Sequence, residues 1–355
     1  MTPLGPKGVR IAHEGGRISS VQADDSIDGP IILPGFIDLH CHGGAGDDVM
    51  DGDGAVGRIA ALHAGNGTTA MLATTMTAPV QQIRSVLADV AHAMARPDPN
   101  SAELLGVHLE GPFISPDLLG AQPAYAREID IELLAELNAI APIRVLTYAP
   151  EADPDGDFPA FARRNGILAQ LGHSPCTYEM AERAFREGAS GTTHLFNAMS
   201  GLHHRKPGLV GAALAHAEHA ELIPDLLHVH PGAIKAALRA IPGLYAVTDA
   251  TRATGMPDGE YPFGDVTARK CGNGLRLEDG TLAGSCLSML QAFRNLVEIG
   301  LPMAEAARRC ATVQADYLGL PDRGRIVPGA VADLVILAPD LSLTEVLLRG
   351  RALHG

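Results

Sequence analysis

The apolar run Leu33-Pro34-Gly35-Phe36-Ile37-Asp38-Leu39 ends in His40-Cys41-His42 and breaks at once into Gly43-Gly44. Successive side chains of a strand alternate between its faces, so the imidazoles of His40 and His42 leave on one side and the Cys41 thiol on the other. Two imidazoles at that spacing form a chelate for a divalent cation. The same pairing of an apolar segment with a terminal donor recurs at His108-Leu109-Glu110-Gly111-Pro112, Gly172-His173-Ser174, Thr193-His194-Leu195-Phe196-Asn197, His228 and Thr248-Asp249-Ala250. Imidazoles and carboxylates converging on one rim are the donor set of a metal hydrolase. Zinc, iron, manganese and cobalt all suit such donors, and one or two ions per subunit are expected.

The elements that must carry these residues alternate. Candidate strands lie at 33–40, 68–75, 104–110, 143–148, 167–172, 190–194, 222–228 and 244–249. Candidate helices follow at 55–65, 79–95, 128–140, 158–165, 177–188, 207–218, 231–241 and 284–299, with a further helical stretch at 303–318. Eight such units predict an α/β chain folded as a (β/α)8 TIM-type barrel, in which the site collects at the C-terminal ends of the strands. Strand-like pieces at both termini, with Gly15-Gly16 as a hairpin turn, predict a small β-sandwich-like domain. The expected division is 1–32 with 322–355 for that domain and 33–321 for the barrel.

Composition narrows the function classes. A net charge of −14 disfavours nucleic acid or an anionic membrane as partner, and no run approaches the length of a membrane span. The start of the chain lacks the charged and apolar regions of a signal peptide, so a cytoplasmic location is expected. The five cysteines are scattered without CxxC spacing, which fits reduced thiols.

The segments PGFIDLHCHG, HLEGPF, GHS, THLFNAM followed by HHRKPG, VTDAT, Asp258-Gly259-Glu260-Tyr261 and Leu282-Ala283-Gly284-Ser285 resemble those of N-acetylglucosamine-6-phosphate deacetylases, in the amidohydrolase superfamily. The resemblance runs from about Pro34 to Leu337. It implies that Glu110, His173 and His194 are core metal ligands and that Asp249 is the catalytic aspartate and a further ligand of the metal. His40 and His42, replaced in some members, would hold a second ion. Many binuclear amidohydrolases bridge their ions with a carboxylated lysine. Here the only lysines are Lys7, Lys206, Lys235 and Lys270, none at a barrel strand end, which leaves Glu110 as the bridging or principal carboxylate.

The chemistry implied is deacetylation of N-acetyl-D-glucosamine 6-phosphate by attack of metal-bound hydroxide on the acetamide carbonyl. Asp249 takes the proton and delivers it to the leaving amine, and His228 hydrogen-bonds the substrate and stabilises the developing oxyanion. Arg205, in the basic cluster His203-His204-Arg205-Lys206, matches the phosphate-binding arginine, a contact that in the family can come from the neighbouring subunit of a homodimer. Asn197 and Ala198 match sugar contacts, Ala121 lies in a run near the sugar, and Leu282, Ala283 and Gly284 match a loop that closes over it.

Three departures from the family pattern bear on specificity. Leu119-Gly120-Ala121-Gln122 stands where the family usually has Lys-Gly-Ala-His, and Asp225-Leu226-Leu227-His228 where it has Asp-Gly-Leu-His. The N-terminal β-segment is also short. Two alternatives are therefore an amidohydrolase of another N-acyl substrate, such as N-acetylgalactosamine 6-phosphate, and a non-catalytic barrel used as a binding module.

Overall fold

Eight parallel strands, each buried along most of its length, carry the chain through its middle in the computed structural model, which describes residues 8–24, 26 and 29–353. The remaining residues of the expected terminal domain, Lys7 among them, lie outside the described set. The strands are β1 (Phe36–Asp38), β2 (Thr68–Thr75), β3 (Glu103–Glu110), β4 (Ile143–Tyr148), β5 (Leu168–Leu171), β6 (Gly191–Thr192), β7 (His219–Leu222) and β8 (Gly243–Ala246). Helices follow them: α1 (Ala55–Ala64), α2 (Val80–Ala95), α3 (Ile131–Ile140), α4 (Phe158–Arg164), α5 (Tyr178–Glu187), α6 (Gly208–His216), α7 (Pro231–Ala240) and α8 (Met289–Glu298). The strands read as near-continuous small and apolar runs because helices cover the sheet, as in β2, where every residue from Thr68 to Thr75 is buried.

The first six strands form one parallel sheet in chain order, and β7 and β8 form a parallel pair. Backbone bonds tie the two pieces together at both junctions. Leu195 N donates to Glu221 O at 2.9 Å, and Asp249 N donates to His40 O at 2.8 Å. Beside the second junction the buried Asp38 carboxylate accepts from Thr248 Oγ1 at 2.6 Å and Thr248 N at 3.2 Å, while Cys41 bridges Ala250 in parallel register. The fold is thus mixed α/β, as expected.

Three boundaries differ from expectation. The run taken as one strand from Leu33 splits at Gly35: Ile31–Pro34 pairs antiparallel with Leu334–Leu337, and only Phe36–Asp38 joins the parallel sheet. Gly35 permits this because a Cβ there would sit 2.2 Å from Thr69 Oγ1. The seventh strand is His219–Leu222 rather than 222–228. Pro224 follows it, and Asp225 Oδ1 accepts from Leu227 N (2.9 Å) and His228 N (2.8 Å), a turn that ends extended structure. Between β8 and α8 the chain also inserts a four-stranded antiparallel sheet of Gly259–Phe263, Val266–Cys271, Gly274–Arg276 and Leu282–Ser285. The segment Leu282–Ser285, expected as a loop and helix start, is the last of these strands, and α8 begins only after Ser288 caps it.

Described segments from the two terminal regions share a sheet. Leu334–Leu337 lies between Ile31–Pro34 and Leu343–Leu348, and Arg351–Ala352 completes the sheet. The hairpin of Val9–Glu14 and Arg17–Ala23 turns at Gly15 and Gly16, both at positive φ, as their pairing predicts. Its Ile18 packs with Ala330, Ala332 and Leu334 in a small apolar cluster apart from the main core.

Candidate metal centre

Glu110 ends β3 with its carboxylate buried between two pairs of imidazoles. Its Oε1 lies 3.2 Å from His173 Nε2 and 3.0 Å from His194 Nε2. Its Oε2 lies 3.1 Å from His42 Nε2 and 3.6 Å from His40 Nε2. Within each pair the Nε2 atoms are 3.1 Å apart. Nitrogens that close, aimed at one carboxylate oxygen, make two ligand triads sharing Glu110, and the set fits a divalent cation in each. Asp249 joins on the side of His40 and His42, its Oδ1 3.3 Å from His42 Nε2 and 3.5 Å from His40 Nε2.

The backbone pays local strain to place these groups. His173, His194 and Asp249 have φ of 48°, 30° and 49°, a left-handed conformation that costs non-glycine residues about 1–3 kcal/mol each. Each follows the last residues of its strand, where the chain turns its donor inward.

Behind the ligands stands Glu221, a fully buried carboxylate on β7 that sequence reasoning missed. Its Oε2 accepts from His40 Nδ1 at 2.8 Å and from His194 N at 3.2 Å. This fixes the His40 tautomer and leaves Nε2 free for the centre. The available signal was an acidic residue inside the apolar stretch Ala220 to Ile223.

The local field favours positive charge at the centre. Burial opposes protonation of His42, yet Asp249 and Glu110 raise it to about 9. Burial likewise opposes ionisation of Asp249, but His40 and His42 hold it down to about 2. His108, two residues before Glu110 on β3, is pushed down to about 4 chiefly by burial, and its Nδ1 and Nε2 meet Leu39 O and Thr147 Oγ1 instead of the centre.

A cavity of about 260 Å³ opens over these donors. His42, Glu110, His173, His194 and Asp249 line it, with Ala121, Gln122, Asn197, Ala198, His228, Leu282 and Gly284 around the wall. His40 lies beneath, fully buried. Asp225 Oδ2 accepts from His228 Nδ1 at 2.7 Å and so orients that ring. Gly284 must be glycine-like: its φ is 62°, and a Cβ would meet Thr251 Cγ2 at 2.6 Å and Asp249 O at 3.0 Å. Two expected contacts are not brought to the wall. Ala283 faces the other way, into a cluster with Met76, Phe263 and Leu275, because neighbours in a strand alternate faces. Arg205 is exposed on the loop after β6, its Nη1 2.8 Å from His204 Nε2.

The departures at 119–122 and 226 also acquire places. Gln122 reaches the ligand carboxylate itself, its Nε2 2.5 Å from Glu110 Oε2. Leu226 takes φ 65° and packs its side chain against the core instead of the cavity. Among the described residues no lysine lines the cavity, in keeping with Glu110 as the shared carboxylate.

The sequence pattern of the amidohydrolase family matches residues 31–353. The chain belongs to that family. Among relatives of this amidohydrolase, an N-acetylglucosamine-6-phosphate deacetylase of Lysinibacillus sphaericus is 38% identical over 91% of this chain and 85% of its own. An N-acetylgalactosamine-6-phosphate deacetylase of Escherichia coli O157:H7 is also 38% identical, over 91% and 88%. The crystal structure of N-acetylglucosamine-6-phosphate deacetylase from Thermotoga maritima superposes with a TM-score of 0.90 at 32% identity, covering 97% of this amidohydrolase and 94% of that chain. Among the described residues no helix is long and apolar enough to cross a membrane.

Proposed function

We propose that this amidohydrolase deacetylates N-acetyl-D-glucosamine 6-phosphate, giving D-glucosamine 6-phosphate and acetate. The observation that carries the reading is the Glu110 carboxylate with one oxygen on His173 and His194 and the other on His40 and His42, below a sugar-sized cavity. Glu110, His173, His194, His40 and His42 would hold divalent ions there, zinc, iron, manganese or cobalt, which would supply an acidified water and polarise the acetamide carbonyl. Asp249, ionised and at the rim, takes the proton of the attacking water on its carboxylate and returns it to the departing amine nitrogen. Asp225 Oδ2 commits His228 Nδ1, so Nε2 is the atom left to hydrogen-bond the substrate carbonyl. Asn197 and the backbone at Ala198, with Ala121, Leu282 and Gly284, form the walls against the sugar.

Arg205, exposed and outside its own cavity, is assigned to the 6-phosphate of a neighbouring subunit in a homodimer. We further read the eight strands as a closed (β/α)8 barrel over 33–321. The junction bonds Leu195–Glu221 and Asp249–His40 support closure. The two chain ends, 1–32 and 322–355, are read as one small β-sandwich-like domain, supported by their shared sheet and apolar cluster. A phosphorylated metabolite as substrate is in keeping with a cytoplasmic location.

The second reading, N-acetylgalactosamine 6-phosphate, is favoured by the equally similar relative that acts on that epimer. Acetate release from both phosphorylated sugars and from N-acetylglucosamine, measured on enzyme loaded with each metal, separates the readings. The glucosamine epimer is expected to have the highest kcat/KM. A reversed epimer preference moves the assignment to the second reading, and no release from either phosphosugar overturns both.

A further inference from the structure

The Gln122 side chain is held at both ends. Its Oε1 accepts from Thr77 N at 2.7 Å, in the segment just after β2, and its Nε2 donates to Glu110 Oε2 at 2.5 Å. The first bond sets the orientation of the amide, because a backbone N–H needs the carbonyl end, which leaves only the NH2 end for Glu110. The contact is specific to one half of the centre. Oε2 is the oxygen that faces His40 and His42, whereas Oε1, facing His173 and His194, has no such amide donor among the described residues. A carboxylate oxygen has two lone-pair directions. The amide occupies one and turns the other toward the His40 and His42 nitrogens, and being neutral it does not repel a cation placed there.

We propose that Gln122 is a positioning residue that acts through Glu110 to set the affinity of the cation position formed with His40 and His42. This rests on the two-cation reading of the centre. The backbone after β2, through one amide, thereby tunes a carboxylate on β3 and distinguishes two positions that share it. Losing an outer partner of a metal ligand weakens metal binding by about 10–100-fold. Here the loss should fall on one position only.

The test is zinc titration of metal-depleted protein against a chelator, read as stoichiometry and two dissociation constants, on wild type and on Gln122→Met, which keeps the bulk and removes the donor. Gln122→Ala serves where Met disturbs folding. Wild type is expected to take two zinc ions per subunit, and the variants to keep the tighter one while the weaker loses about 10–100-fold. Two unchanged constants in the variants overturn the role of Gln122 and leave the two-cation reading standing. An equal fall in both constants also overturns it, since the amide would then support Glu110 as a whole. A single zinc in wild type overturns the two-cation reading and this inference with it.

Discussion

Glu110 is shared between two imidazole pairs, so its removal cannot be confined to one of them. Glu110→Ala should lose all tightly bound divalent metal and nearly all turnover, measured by elemental analysis beside acetate release. Asp249 is predicted to behave differently, because its proposed work is proton transfer. Asp249→Asn keeps the shape and some donor capacity, so metal content should largely persist while kcat falls by about 10²–10⁴-fold. The pair His40→Ala with His42→Ala leaves the Glu110, His173 and His194 triad whole. It should bind one ion fewer and turn over more slowly without being abolished. A loss as severe as that of Glu110→Ala would place the pair in the indispensable core.

At the level of elements, the short β7 contributes no direct donor yet controls one. Glu221 on that strand reaches His40 on the segment after β1, across the junction where β7 and β8 meet the other strands. Glu221→Gln removes the charge that fixes the His40 ring. The expected result is a roughly 10-fold or greater loss of zinc affinity at the His40 and His42 position, with the unfolding midpoint little changed. Gly35 is the converse case, structural and remote from the chemistry. It divides the strand that serves the terminal sheet from β1, and a Cβ there falls 2.2 Å from Thr69 Oγ1 and 2.4 Å from Thr69 Cγ2. Gly35→Ala should therefore cost about 1–3 kcal/mol in urea unfolding with near-normal metal stoichiometry in the folded fraction. The inserted antiparallel sheet matters in a third way: Ser285 N donates to Asp249 O at 2.7 Å, so its last strand is fastened to the residue proposed to move the proton.

Across the whole molecule, the proposed substrate is an anionic sugar phosphate, which a protein of net charge −14 would bind against its own field. The cluster from His203 to Lys206 is the exposed basic feature nearest in sequence to the β6 end of the site. If Arg205 grips the phosphate, Arg205→Ala should raise KM for the phosphorylated sugar by one to two orders of magnitude and leave kcat/KM for the unphosphorylated sugar unchanged. Mixing Arg205→Ala subunits with Asp249→Asn subunits then tests the dimer: heterodimers that regain phosphate-dependent activity place the arginine across the interface. No regain, with a monomer by light scattering, removes that assignment.

Much of this protein was legible along the chain because its donors close apolar strands, and a strand-end histidine or carboxylate is a local feature. His40, His42, Glu110, His173, His194 and Asp249 were readable in that way, as were the alternating elements and the family resemblance. What the fold decided were relations between residues far apart in sequence. Which oxygen of Glu110 faces which imidazole pair depends on the angular order of the strands. Glu221 was hidden because a charged residue in a short strand breaks the apolar pattern, although its partner His40, 181 residues away, satisfies it. Gln122 looked like the loss of an imidazole, and only the approach of the segments after β2 and β3 shows its amide spanning Thr77 and Glu110. Local periodicity records which face a residue occupies; the partner waiting on that face is set by packing, and packing is where the two halves of this centre become distinct.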